Sequence, residues 1–171
     1  MGKKDNKTPF GVLLDTSFLI RLLDDKSPLH GNAVGYFRYF CENDIPMYVS
    51  TITIAEYCVR GKLSDLPLQV VRILPFNINH AEAAGRFAQC LFDARASGYI
   101  EVEDRKIIPN DAKLFAQGAC QSDIKYFVTS DVKSKSCIET LRKSIHAQIE
   151  HLDINTPHAN FFGVIDLDAY Q

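Results

Sequence analysis

Short unbroken apolar runs alternate along this chain with segments in which apolar residues return every three or four positions. Val12-Leu13-Leu14 is the first such run, and Met47-Tyr48-Val49, Val70-Val71-Arg72-Ile73-Leu74, Tyr126-Phe127-Val128 and His151-Leu152-Asp153-Ile154 follow it. A continuous run, as opposed to an alternating one, marks a strand buried on both faces, as in a parallel sheet covered by helices. Helical spacing begins at Phe18-Leu19-Ile20 with Leu22-Leu23, and again over Ile52 to Arg60, where Gly61 ends the segment. Ala83, Ala84, Phe87, Ala88 and Leu91 predict a helix over Asn79 to Asp93, capped by Asn79. Ala112, Phe115, Ala116 and Ala119 predict another, with Pro109-Asn110 at its start and Asp111 in its first turn. Ser134 to His146 reads as one more helix, and Ser97 to Ile108 as a surface connection. Phe161-Phe162-Gly163-Val164-Ile165 reads as an edge strand or a docked tail. This alternation predicts a three-layer α/β/α sandwich with a mostly parallel central sheet and right-handed crossovers.

The 171 residues are 46% hydrophobic and 23% charged, which fits one domain over residues 9–171 preceded by a polar, disordered tail at 1–8. Met1-Gly2-Lys3-Lys4-Asp5-Asn6-Lys7 has no signal-peptide core, and Asn6 stands where a myristoylation signal carries Ser or Thr. No apolar run approaches the ~20 residues that span a bilayer. Five cysteines, odd in number and without a Cys-x-x-Cys pair, read as buried reduced thiols of a cytoplasmic protein. A net charge of −2 does not announce a nucleic-acid binder, although an acidic pocket would mask a basic rim in the sum.

Four carboxylates sit where apolar runs end: Asp15, Glu56, Asp111 and Asp131. Each has an ordinary explanation. Asp15 can cap a helix, Thr53-Ile54-Ala55-Glu56 matches a capping box, Asp111 suits a first helical turn, and Asp131 can be a loop acid. Helical spacing of Ile52, Ala55 and Val59 starts the second helix nearer Ser50 or Thr51, which places Glu56 inside it. Ligands in open α/β sheets bind beyond the carboxyl ends of the strands, the edge to which Asp15, Asp111 and Asp131 all point. Carboxylates crowded there would repel one another unless a divalent cation that prefers oxygen ligands lay between them.

Asp15-Thr16-Ser17-Phe18-Leu19-Ile20 resembles the opening motif of the PIN domain, the metal-dependent ribonuclease fold that includes the VapC toxins of toxin–antitoxin pairs. Ser50-Thr51-Ile52-Thr53-Ile54-Ala55-Glu56 is similar to its second motif, and Asn110-Asp111-Ala112 and Thr129-Ser130-Asp131 to its third and fourth. The resemblance implies a PIN-like fold and hydrolysis of single-stranded RNA with Mg²⁺ or Mn²⁺ held by Asp15, Glu56, Asp111 and Asp131. It implies supporting hydroxyls at Thr16, Ser17, Thr129 and Ser130, and an antitoxin protein as partner. No protein nucleophile is needed, because carboxylate-held cations activate water and stabilise the attacking and leaving oxygens. Arg105, Lys106, Lys113, Lys133 and Lys135 are the candidate phosphate contacts, with a solvated helical face as the plain reading of the basic residues from Lys125 to Lys143. A homodimer fits the same reading. His30, His80, His146, His151 and His158 show no zinc-like or catalytic spacing and read as surface or capping residues. Other acidic α/β sites fail on detail, since a haloacid-dehalogenase phosphatase would want Asp where Ser17 stands. The alternative of another class is a catalytically silent PIN-like module that scaffolds RNA or a partner protein.

Overall fold

The computed structural model describes residues 10–100 and 107–163. Its centre is β1 (Gly11–Leu14), whose four residues are all buried. On one side β1 pairs with β2 (Met47–Ser50), which pairs with β3 (Arg72–Leu74). On the other it pairs with β4 (Ile124–Thr129), which pairs with β5 (Glu150–Asp153). All pairings are parallel, and the order is β3-β2-β1-β4-β5. The two halves of the sheet therefore grow outward from β1, with the carboxyl ends of all five strands on one edge.

Alternate residues of β1 feed two cores. Leu13 packs with Phe87, Leu91, Phe115, Phe127 and Leu141, from α4 (Ile78–Ala96), α5 (Ile107–Ala119), β4 and α6 (Lys133–Ile145). Val12 and Leu14 pack with Phe18, Tyr36, Phe40 and Leu152, from α1 (Thr16–Leu23), α2 (His30–Glu42) and β5. The period-2 geometry of a strand thus produces the three layers expected.

The structure departs from the expectations at several places. Helix α2 was not foreseen, although Ala33, Tyr36 and Phe40 form its buried face at helical spacing. Asn77, two residues earlier than expected, caps α4: its side chain accepts from the His80 N–H while His80 Nδ1 accepts from the Asn77 N–H. α5 begins at Ile107, so the foreseen surface connection is shorter and Asp111 lies past the first turn. Pro109 does not mark the start because any position in a first turn lacks an intrahelical N–H partner. Phe161 and Phe162 form no strand. They belong to the short helix α7 (His158–Phe162), with Phe162 stacked on Tyr39 at 4.3 Å between centroids. Residues Val164 and Ile165, the tail at 1–8, and Arg105 and Lys106 lie outside the described residues. The cysteines are free, yet Cys41, Cys58 and Cys120 are exposed because they sit on outer helix faces and helix ends; Cys137 is buried. Among the described residues no helix is long and apolar enough to cross a membrane.

Two contacts of glycine set how the helices sit. Gly35 leaves room for the His158 ring, which an added Cβ would meet at 2.6 Å. Gly118 brings α5 down on the sheet, where a Cβ would stand 2.4 Å from Ile149 Cδ1 and 3.3 Å from Leu13 Cδ2. Both neighbours are fully buried and have nowhere to go. Asp111 lies seven residues before Gly118, two turns along the same helix face, so this close approach also carries Asp111 toward the carboxyl edge. Gly118→Ala is expected to lower the melting temperature by about 3–8 °C, since overpacking of roughly 1–3 kcal/mol outweighs the gain in helix propensity. Thermal melts of the two proteins decide it, and an unchanged or raised midpoint would mean that the core yields there.

Candidate functional site

The peptide after β1 leaves the sheet at Asp15, whose N–H still pairs with the Val128 carbonyl at 3.0 Å. Extended backbone at this residue (φ −80°, ψ 161°) makes it the N-cap of α1, and its side chain accepts from the Ser17 N–H at 3.4 Å. The capping role foreseen as the plain explanation is therefore real, and it is not the whole of what Asp15 does. Its Oδ2 also accepts from the Ser17 hydroxyl at 2.7 Å and from the Thr129 hydroxyl at 2.8 Å. Thr129 ends β4 and is fully buried.

Each hydroxyl has one proton, and each directs it to Asp15. Their lone pairs are then free to accept from the backbone. Ser17 Oγ accepts from the Ser130 N–H at 3.0 Å, and Thr129 Oγ1 accepts from the Asp131 N–H at 3.0 Å. Two relays of the form peptide N–H, hydroxyl, carboxylate thus converge on one oxygen, each bond polarising the next. Of the expected supporting hydroxyls, Ser17 and Thr129 serve Asp15, and Thr16 serves another acid: its hydroxyl donates to Glu56 Oε2 at 2.5 Å. Ser130 contributes its N–H to this network.

Glu56 lies inside α3 (Thr51–Tyr57), as its apolar spacing required, because Ser50 caps that helix by accepting from the Ile52 N–H at 3.0 Å. Asp131 follows β4 and accepts from the Lys133 N–H at 2.9 Å, in the turn that opens α6. Asp111 completes the group from the opposite layer. Burial and then the charges of Asp15, Asp131 and Glu56 push the Asp111 carboxyl up to about 7. Asp111 therefore feels the charges of the other three acids. Among the described residues no three or more His, Cys, Asp or Glu side chains are grouped so that they could hold a metal ion as they stand. The arrangement is a convergence of like charges in which hydroxyls and backbone compensate Asp15, and Thr16 compensates Glu56.

Of the expected phosphate contacts, Lys133 and Lys135 are exposed on the first turn of α6 beside Asp131. Positive charge at a helix N-terminus opposes the helix dipole by about 0.3–1 kcal/mol. Lys113 is half-buried on α5 and donates to Asn110 Oδ1 at 3.4 Å. Two residues beside the centre had no signal in the reading of the histidines and turns. His151 Nε2 lies 3.3 Å from the Asp131 carbonyl oxygen, and Asn155 Nδ2 donates to the Ser130 carbonyl at 3.1 Å. The Asp153-Ile154-Asn155 sequence, a carboxylate two residues before an asparagine after a strand, is the turn signature that would have drawn attention to Asn155.

No family model and no curated protein matches this chain. Solved structures do. VapBC2 from Rickettsia felis, bound to a DNA fragment from its promoter, aligns over 83% of this chain and 98% of its own at 17% identity, with a TM-score of 0.53. DNA-bound VapBC from Salmonella typhimurium aligns over 85% and 98% at 18% identity, with a TM-score of 0.51. The fold is thus that of these VapBC structures, an α/β sandwich whose five described strands are all parallel.

The electrostatics of Asp111 have a measurable sign. Its folded value of about 7 stands above its ordinary value of 3.8, so between these two the folded chain keeps a proton that the unfolded chain has lost. Stability of metal-free protein should then fall as pH rises through that window. Asp111→Asn removes the charge, and it is expected to flatten this decline and raise the melting temperature at pH 8 in chelator by about 3–8 °C. Melts of both proteins across the pH range test this, and parallel pH profiles would show that Asp111 does not share the charges of the other three.

Proposed function

We propose that this protein is a Mg²⁺- or Mn²⁺-dependent endoribonuclease acting on single-stranded RNA, and that it is the toxin of a toxin–antitoxin pair. The observation that carries the reading is the elevation of Asp111, by burial first and then by the charges of Asp15, Asp131 and Glu56, at the carboxyl edge of a PIN-type sheet. Evolution of a fold does not leave four acids to repel one another without a compensating charge, and an all-oxygen donor set fits a hard divalent cation. Asp15, Glu56, Asp111 and Asp131 would hold that cation. Bound there, it would supply Lewis acidity and charge neutralisation for phosphodiester hydrolysis.

The chain's own residues have distinct tasks in this reading. Ser17 and Thr129 keep Asp15 in one rotamer, and Thr16 does the same for Glu56. Lys133 and Lys135 receive the phosphates of the strand entering the acidic edge. The antitoxin partner is supported by the structural neighbours, which come from VapBC complexes. A cavity of about 600 Å³ between α1 and α3 offers it a place, lined by Ile20, Leu23, Tyr57 and Val59 with Glu56 at its rim. Ile20, Leu23 and Val59 are exposed there.

The direct test is cleavage of end-labelled single-stranded RNA by the intact protein. Cleavage is expected with Mg²⁺ or Mn²⁺, with 5′-phosphate products, and it should be lost in excess chelator and in Asp15→Asn. Activity that survives chelation, or products ending in cyclic phosphate, would overturn the reading, and an inert protein that still binds RNA would favour the scaffold module.

The lysines give an independent check. Reversing both Lys133 and Lys135 to Glu is expected to weaken RNA binding and to reduce the slope of log affinity against log salt by roughly 1.4, at about 0.7 per phosphate contact on a single strand. Binding isotherms at several salt concentrations measure this, and an unchanged slope would route the RNA elsewhere.

A further inference from the structure

The acidic centre is steadied from outside by the turn that follows β5. Asp153 Oδ1 accepts from the Asn155 N–H at 2.8 Å and from Asn155 Nδ2 at 2.5 Å, and the same amide nitrogen donates to the Ser130 carbonyl at 3.1 Å. Both contacts of the side-chain nitrogen are acceptors, which settles which end of the amide faces them. The turn itself is pinned from α2. Asn32 Nδ2 donates to the Ile154 carbonyl at 2.9 Å, and the Tyr36 hydroxyl donates to the Thr156 carbonyl at 2.9 Å.

What Asn155 grips is a peptide plane. The Ser130 carbonyl and the Asp131 N–H belong to one planar trans unit and point in opposite directions, so fixing the first aims the second. That N–H donates to Thr129 Oγ1, and the Thr129 hydroxyl donates to Asp15 Oδ2. The neighbouring carbonyl, that of Asp131, is approached at 3.3 Å by both the Ser134 N–H and His151 Nε2. The segment carrying Asp131 is thus braced at two successive carbonyls.

We infer that Asn155 is a positioning residue of the acidic centre, acting through the Ser130–Asp131 peptide and the Thr129 hydroxyl to set the charge compensation of Asp15. It touches neither Asp15 nor any cation that Asp15 would hold. Its influence runs along a chain of three hydrogen bonds, and interruption anywhere along that chain has the same effect. Removing a hydrogen-bonding partner behind a metal ligand typically weakens metal affinity about 10- to 100-fold, and a partner two bonds further out belongs at or below the lower end.

The experiment has an arm that needs no metal and an arm that rests on the proposed function. In metal-free protein, Asn155→Ala is expected to accelerate hydrogen exchange at the Asp131 amide on the order of 10-fold while the amides of β1 keep their protection. Asn155 is exposed, so the substitution leaves both cores intact. An unchanged Asp131 amide overturns the inference. In the second arm, Mn²⁺ titration calorimetry on Asn155→Ala is expected to show affinity reduced roughly 3- to 10-fold. The same substitution in a Thr129→Val background should produce no further loss, because the chain is already cut. Independent, multiplying losses in the double mutant overturn the inference. A wild-type protein that takes up no Mn²⁺ overturns the proposed cation site instead, and the amide-exchange arm then still decides the role of Asn155.

Discussion

Negative charge gathered at the end of a buried strand is the constraint on which the rest of this structure turns. β1 is enclosed on both faces and on both edges, so Asp15 at its end has little water to solvate it from below. The protein solvates it instead, with two hydroxyls and their backbone donors. One hydroxyl comes from α1 and the other from β4, so satisfying one carboxylate also locks a helix to a strand far away in sequence. Among the described residues Asp111 has no such relay, and its burial together with the charges of Asp15, Asp131 and Glu56 pushes its carboxyl up to about 7.

The architecture explains why such a concentration of charge is tolerated. A parallel sheet aligns its strand ends, and short strands place the loops after β1, β2 and β4 at one edge within the same layer of residues. Leu14 is level with both Val49 and Val128, which puts the residues after them, Asp15, the α3 cap Ser50 and the β4 end Thr129, side by side. Asp111 arrives differently, on a helix that follows another helix and is let down onto the sheet at Gly118. Destabilisation at the edge is confined there, because the two cores beneath it are apolar and closed.

Much of this could be read from the residues, and the failures have physical reasons. The central strand β1 announced itself as an unbroken apolar run because it is buried on both faces, whereas β3 at the sheet edge is largely exposed, with Ile73 49% accessible; Glu56 was conspicuous because it interrupts an apolar helical spacing. Helix α2 escaped notice because Asn32, Arg38 and the off-stripe aromatic residues Phe37 and Tyr39 blur its stripe; its apolar face is completed by α7 and Phe162, which come more than a hundred residues later. Pro109 and Asn79 misled by suggesting helix starts that backbone geometry placed two residues away. The positions of Asp15 and Asp131 were legible, since they depend on where β1 and β4 end. The route by which Asn155 reaches Asp15 was not, since it depends on the orientation of a peptide plane, a property that leaves no mark on composition or spacing.

The bond between Thr129 and Asp15 joins residues 114 positions apart. During synthesis, β1 leaves the ribosome before β4 and must wait for it before its second edge is covered or the compensation of its terminal carboxylate is complete. At roughly 5–20 residues per second that wait is about 6–23 s. A still-growing chain therefore carries Asp15 without the Thr129 hydroxyl that compensates it, and the assembled edge exists only once β4 has been made. For a protein whose acidic edge would act on RNA, the order of the strands in the sheet is also a timer that separates the making of the chain from the completion of its working surface.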